Sequence, residues 1–125
     1  MRGIHSYHRS KVNNAPKQQI VTMLLQNATR RLTRVAGIEG RFGSAEIADL
    51  GHVRAIFTEL NGALDENVAS DLVQQLGALY RWCILELTIA GREHCTERVG
   101  AVLKVTENLL EGWVAATSNP TGASS

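Results

Sequence analysis

Apolar residues recur along this chain at the three- and four-residue intervals of an α-helix, in four successive segments. The second segment, from Ser44 to about Leu64, shows this pattern most clearly. Its apolar positions are Leu50, Val53, Phe57, Leu60 and Leu64. Alternating steps of three and four residues are typical of a helix that buries one face in a bundle. We therefore predict a helix here, with Ser44 as its N-cap.

Three further helices are predicted from the same periodicity, over residues 16–36, about 68–90 and about 93–116. Asn67 is expected to cap the third of the four helices, and Gly91 to end it. The core positions predicted for the first helix are Ile20, Val21, Leu24, Leu25, Ala28, Leu32 and Val35. Those of the third are Leu72, Leu76, Leu79, Cys83, Leu87 and Ala90. Those of the fourth are Cys95, Val99, Val102, Thr106, Leu109 and Trp113.

The predicted fold class is all-α. Pro16 and Pro120 are the two prolines of the chain, so no proline interrupts the helices between them. Short connections make successive helices antiparallel, and their similar lengths suit a bundle. We predict an antiparallel four-helix bundle over residues 16–116, with an N-terminal tail, residues 1–15, as a capping segment and a flexible C-terminal tail, residues 117–125.

The third helix carries more apolar residues than a bundle core requires. Fifteen residues from Val68 to Ala90 are apolar, whereas about ten would be enough for a helix of this length. A second apolar row, made of Ala78, Trp82, Leu85 and Ile89, lies about 130° from the predicted core row. The fourth helix is widened in a similar way by Leu103, Leu110 and Val114.

These extra apolar side chains predict a binding groove that accepts an amphipathic segment. We assign to this groove Ile56, Trp82, Leu85, Ile89, Leu103, Leu110 and Val114. Tyr7, the one aromatic residue of the tail, is the candidate groove cap. Two alternatives stay open: a wide core that absorbs these side chains, and a second copy of the chain that covers them.

The net charge of +1 is unevenly distributed. Residues 1–38 contain seven basic side chains and no acid, and the remainder contains six basic and twelve acidic ones. A basic region attracts nucleic acid or an acidic membrane surface. The preferred interpretation is that the basic third packs against the acidic body of one domain, because the tail lacks interleaved aromatic residues.

No catalytic or metal-binding motif emerges from the sequence. His5 and His8 are spaced as H-x-x-H but lack further ligands, and His94 beside Cys95 lacks partners at ligand spacing. Cys83 and Cys95 form no C-x-x-C motif and no disulfide framework. We therefore expect a protein without cofactor or metal that is not an enzyme. With no apolar signal core at the N-terminus, we expect it in the cytoplasm, without insertion in a membrane.

One ordered set of residues extends from about residue 7 to residue 115. It consists of Tyr7, Asn14-Ala15-Pro16, Ile20-Val21-x-Met23-Leu24, Glu59-Leu60, Leu64-Asp65, Leu72, Leu79-Tyr80, Leu87, Ala90 and Trp113. In this order and spacing the chain resembles the flagellin-specific export chaperone of the bacterial flagellar secretion system. Leu25, Gln26 and Asn27 stand where that family usually has Tyr, an acidic residue and Gly. The client is thus left open between a divergent flagellin and another secreted filament subunit.

The resemblance implies a function and partners. Members of the family are antiparallel helical bundles whose N-terminal segment caps an apolar groove. They bind the disordered C-terminal region of flagellin, prevent its premature polymerisation and aid its delivery to components of the flagellar export apparatus. We expect the same here, for a monomer or weak dimer that binds no nucleic acid. The rival hypotheses are a self-associating structural bundle and a basic nucleic-acid-binding module.

Overall fold

The computed structural model describes residues 15–65, 67 and 70–117, which form four α-helices around one core. The helices are α1 (Ala15–Ala36), α2 (Ser44–Gly62), α3 (Asp71–Glu93) and α4 (Thr96–Thr117). Both α1 and α3 pack against α2 and α4, so α1 lies diagonally across the bundle from α3. The predicted all-α four-helix bundle is confirmed.

Side-chain contacts at the two ends of the bundle establish the helix directions. Arg31, near the end of α1, forms an ion pair of 2.7 Å with Asp49, near the start of α2. Trp113, near the end of α4, donates a hydrogen bond of 2.9 Å from Nε1 to the hydroxyl of Thr22, near the start of α1. Neighbouring helices are therefore antiparallel, and α4 returns alongside α1.

The core is made mainly of the positions that the periodicity predicts. All five positions predicted for the second helix are buried: Leu50, Val53, Phe57 and Leu60 in α2, and Leu64 just after its end. In α4 the five from Val99 onward are buried: Val99, Val102, Thr106, Leu109 and Trp113. The buried hydroxyl of Thr106 donates to the carbonyl of Val102 at 2.7 Å, which satisfies its hydrogen-bonding requirement.

Two predicted core assignments are wrong. Ile20 in α1 is exposed, because it lies about 100° from the centre of the face formed by Leu25, Ala28, Leu32 and Val35. The second is Cys95, which lies half-buried just before α4 and outside the core cluster. In α3 the predicted Leu79 packs half-buried against the core, and Tyr80, which the pattern did not predict, is buried. The ring of Tyr80 packs against Phe57 of α2 with 6.0 Å between centroids.

The bounds of α3 also differ from the prediction. Ser70, not Asn67, is its N-cap, and the Ser70 hydroxyl accepts a hydrogen bond of 3.2 Å from the N–H of Val73. The helix continues past Gly91 and ends before His94, which adopts a left-handed conformation with φ of 54°. A Cβ on Gly91 would touch Leu50, at 3.6 Å, so this glycine lies where α2 approaches α3 closely.

The N-cap of α2 is Gly43, one residue before the predicted Ser44. The Glu46 carboxylate accepts a hydrogen bond from the N–H of Gly43, which is the half of a capping box that an acid at N3 makes. Across the part of the chain that the structure describes, no helix has the length and apolar character needed to cross a bilayer.

Candidate functional site

One apolar row remains on the outside of α3 after the core is complete. This row, called here the α3 stripe, consists of Ala78, Trp82, Leu85 and Ile89. At 100° per residue its centre lies roughly 150° from the centre of the buried face of α3. Trp82 is 37% exposed and Leu85 is 56% exposed, while Ile89 is half-buried. The stripe covers three helical turns, a length of about 16 Å.

The two edges of the α3 stripe differ in charge. On the edge toward α4, Glu86 accepts two hydrogen bonds of 3.0 Å from the guanidinium of Arg98, and Glu93 lies 3.7 Å from the same group. On the edge toward α2 lie two exposed arginines, Arg81 and Arg92. Within residues 15–65, 67 and 70–117, neither of these arginines forms a hydrogen bond or ion pair.

Arg81 also borders a shallow concavity between the end of α2 and the start of α3. Its volume is about 490 Å³, and its lining is Asn61, Leu64, Val73, Gln74, Gly77 and Arg81. A Cβ on Gly77 would lie only 3.0 Å from Nη1 of Arg81, so the arginine side chain extends across the glycine. The Arg81 guanidinium thus lies between the α3 stripe and this concavity.

A second apolar surface, called here the α4 patch, consists of Leu103, Leu110 and Val114. Val114 is 40% exposed, and the two leucines are half-buried. Arg98 marks the side of α4 that faces α3, and the patch lies about 120–160° around the helix from it. The α4 patch therefore faces the α1 side of α4, away from the α3 stripe.

The structure brings the predicted groove residues together as two separate surfaces. Trp82, Leu85 and Ile89 share the outer face of α3, whereas the three residues of the α4 patch lie beyond the polar outer face of α4. Ile56 joins neither surface, because it is buried in the core with 4% exposure. Tyr7 lies outside the described residues.

The two arginines beside the α3 stripe are absent from the residues that the sequence pattern predicted. Arg81 and Arg92 are eleven residues apart, which is close to three helical turns, so they share one edge of α3. That spacing was readable in the sequence. The packing of the helices decides that this edge faces α2. One contact that shows it is the hydrogen bond of 3.2 Å from Arg54 of α2 to Thr88 of α3.

The described residues include no group of three or more His, Cys, Asp or Glu side chains placed to hold a metal ion. Cys83 lies in the core, and burial, with a further contribution from the charge of Glu86, raises the pKa of its thiol to about 12. A thiol with a raised pKa is a poor nucleophile at neutral pH. The exposed apolar side chains of the α3 stripe suit contact with another polypeptide.

An all-α bundle with a filled core and an apolar stripe on its outside has the features of a helical protein-binding module. The sequence matches the family described as flagellar protein FliS over residues 1–120, so this chain belongs to that family. It is 27% identical over 120 residues to the flagellar secretion chaperone FliS of Campylobacter jejuni. The similarity covers 95% of this chain and 94% of that relative.

The family membership confirms the resemblance seen in the sequence. It places the chain among the flagellar secretion chaperones.

Proposed function

We propose that this chain is a cytoplasmic export chaperone that binds the disordered C-terminal region of flagellin. Binding prevents premature polymerisation of flagellin and aids its delivery to components of the flagellar export apparatus. The observation that carries the proposal is the α3 stripe, an apolar surface on a bundle whose core is already filled. An amphipathic segment that is disordered alone can fold on such a surface by burying its own apolar face.

Moderate affinity follows from this mode of binding. Burial of apolar surface stabilises the complex by roughly 25 cal/mol per Å², while ordering the client opposes it. A client held in this balance is released when it is needed for export. The chaperone is expected to be a monomer or weak dimer in solution, because the α3 stripe binds the client and does not form a dimer interface.

A peptide from the C-terminal region of the same organism's flagellin tests this proposal. Calorimetry should show binding with a negative heat-capacity change, and the helicity of the mixture should exceed the sum of the separate spectra. Leu85→Asp should weaken binding at least tenfold while changing the free energy of unfolding by less than about 1 kcal/mol, because Leu85 is exposed.

The matched control for this experiment is Met23→Asp on α1. Met23 is exposed, at 64%, and α1 lies diagonally across the bundle from α3. This variant should bind the peptide as the parent chain does. Absence of peptide binding at tens of micromolar would count against the proposal, and a tight dimer that Leu85→Asp dissociates would favour the self-associating bundle.

The ion pairs of α1 argue against the nucleic-acid alternative. Two of the seven basic side chains in residues 1–38, Arg31 and Arg34, lie 2.7 and 2.8 Å from the carboxylate of Asp49. Charges paired within the bundle are less available to phosphates. If the chain nevertheless bound nucleic acid in a salt-dependent manner, this alternative would be preferred.

We also propose that the N-terminal segment caps the α4 patch, with Tyr7 over its apolar side chains. Since Trp113 contacts the start of α1, the segment before Ala15 begins at the end of the bundle where Val114 lies. Eight residues of extended chain reach roughly 26 Å, which is longer than the patch. The segment contains Arg2, Arg9 and Lys11, and the patch is bordered by Glu107 and Glu111, so the charges are complementary.

Deletion of residues 1–14 tests this cap. The shortened chain should keep its helical circular dichroism spectrum and bind more of the dye ANS, because the α4 patch is uncovered. The double variant Glu107→Lys/Glu111→Lys in the full chain should reproduce the dye result, because it weakens the charge attraction without removing Tyr7. Unchanged dye binding in the shortened chain would contradict the cap.

A further inference from the structure

The charge difference between the two edges of the α3 stripe selects one kind of partner. On the α4 edge, Glu86 and Glu93 share one cationic partner, Arg98, so this edge keeps a negative charge. On the α2 edge, Arg81 and Arg92 have no acidic partner among the residues that the structure describes. A helix lying along the stripe would therefore meet apolar side chains in the middle and uncompensated positive charge on one side.

We propose that the α3 stripe binds an amphipathic helix of the client that carries carboxylates on one flank, and that this flank faces Arg81 and Arg92. The inference rests on the proposed function, since the helix is taken to belong to the client. The apolar anchors supply affinity, and the acidic flank determines the orientation of the helix and the choice among apolar segments.

The N-terminal segment of the chain is a poor occupant of this surface. Residues 1–14 carry Arg2, Arg9 and Lys11 and no acidic side chain. Its positive charge would lie beside Arg81 and Arg92, and like charges in contact are unfavourable. The α4 patch with its acidic border remains the better position for that segment.

A second copy of the chain fits the stripe poorly as well. In an antiparallel pairing of two α3 helices around a two-fold axis, the arginine edge of one copy faces the arginine edge of the other. In a parallel pairing, the arginines face Glu86 and Glu93, which already interact with Arg98. Neither arrangement gives Arg81 a free acidic partner.

Arg81 provides the cleaner test of the two arginines. Arg92 lies in the last turn of α3, where a positive charge is also favourable for the helix itself. Arg81 lies in the middle of α3, and its guanidinium extends across Gly77 at the border of the concavity. A substitution at Arg81 therefore changes the surface with little effect on the helix end.

The experiment uses two synthetic amphipathic peptides as probes, beside the flagellin peptide. Both probes carry Leu at the same helical positions, and they differ only in one flank, which is Glu in the first and Lys in the second. The full-length chain should bind the Glu probe about five- to twentyfold more tightly than the Lys probe at low salt, and the preference should shrink as salt is added. Emission from Trp82 should shift to shorter wavelength on binding, because its exposed ring becomes covered.

Charge reversal identifies the edge. Arg81→Glu, alone and with Arg92→Glu, should abolish or invert the preference, while the matched variant Arg30→Glu should retain it. Arg30 is exposed on α1, diagonally across the bundle, so Arg30→Glu changes the net charge as much as Arg81→Glu alone does, without touching the stripe. Equal binding of the two probes, no binding of either, or a preference that survives Arg81→Glu/Arg92→Glu would each overturn the inference.

The flagellin peptide separates this inference from the proposed function. If it binds but is insensitive to Leu85→Asp and Arg81→Glu, the export-chaperone proposal stands and the α3 stripe is not its client surface. If it fails to bind while the Glu probe binds in an Arg81-dependent manner, the surface is as inferred and the proposed client is wrong. A dimer that Leu85→Asp dissociates identifies a second copy as the occupant and overturns the inference.

Discussion

The backbone N–H of Phe42 donates a hydrogen bond of 2.8 Å to Nδ1 of His94, which joins two connections at one end of the bundle. Phe42 belongs to the connection between α1 and α2, and His94 to the turn between α3 and α4. Their rings also pack, with 5.4 Å between centroids. His94 achieves this position in the left-handed conformation that ends α3.

His94→Ala should lower the free energy of unfolding by about 2–3 kcal/mol, because the buried Phe42 loses its acceptor and its ring contact. His94→Gly loses the same contacts but accepts the positive φ without strain, so it should be more stable than the Ala variant by about 1 kcal/mol. Denaturation in guanidinium chloride, followed by circular dichroism, measures both values. Equal stability of the two variants would contradict the left-handed cap, and a Gly variant as stable as the parent would contradict the hydrogen bond.

Asp49 makes the stability of the bundle depend on pH. Burial raises the pKa of its carboxyl, but the hydrogen bonds and charges of Arg34 and Arg31 lower it more, so the pKa lies below the ordinary 3.8. A carboxyl with a lowered pKa in the folded state stabilises the fold above its unfolded pKa, and this contribution is lost as the pH falls through the folded pKa.

Asp49→Asn should therefore cost about 1–2 kcal/mol at pH 7 and progressively less as the solution is acidified below about pH 4. Urea denaturation at pH 7 and pH 3 measures the difference between the variant and the parent chain. Glu111→Gln, at an exposed position of α4, is the control and should change stability little at either pH. A cost for Asp49→Asn that is the same at both pH values would contradict the assigned role.

The helices and most of the core follow from the spacing of apolar residues, since a row such as Leu50, Val53 and Phe57 can be buried along one helical face only. The ends of α3 do not follow from spacing. Glycine is a residue typical of helix ends, but at Gly91 the missing side chain instead allows α2 to approach α3. The helix ends at His94, whose ring contacts Phe42. Such long-range contacts leave no local pattern.

The candidate site was predictable in part for a similar reason. The sequence gives the angle of Leu85 or Leu110 around its own helix, but not which neighbouring helix lies on each flank. That assignment depends on the arrangement of the four helices, and it places the α3 stripe and the α4 patch on different surfaces. Ile56 is apolar at a flank position of α2, and the flank that it occupies turns out to be covered.

The two tryptophans of the chain should report on different environments. Trp113 is 1% exposed and donates from Nε1 to Thr22, whereas Trp82 is 37% exposed on the α3 stripe. Trp82→Phe should leave emission at short wavelength that iodide quenches weakly, and it should change stability by less than about 0.5 kcal/mol. Trp113→Phe should leave emission at longer wavelength and cost about 1–3 kcal/mol, because it empties core volume and removes the indole N–H.

Steady-state fluorescence with iodide titration, together with urea denaturation of both variants, measures these differences. Burial, together with the nearby Cys83, raises the pKa of the Tyr80 hydroxyl. The companion variant Tyr80→Phe removes this hydroxyl, and its ring should stay packed against Phe57. Comparable quenching of the two single-tryptophan variants would contradict the burial of Trp113.

The two cysteines should differ in reactivity because one thiol lies in the core. Burial, with the charge of Glu86, raises the pKa of Cys83 to about 12, so almost none of it is thiolate at pH 8. Cys95 is half-buried at the start of α4. Iodoacetamide at pH 8 should therefore add one carbamidomethyl group to the folded chain, and peptide mass mapping should locate it on Cys95. The Cys95→Ser variant should remain unmodified until denaturant is added, after which Cys83 should react. Rapid labelling of Cys83 in the folded chain would show that the core opens far more readily than this packing allows.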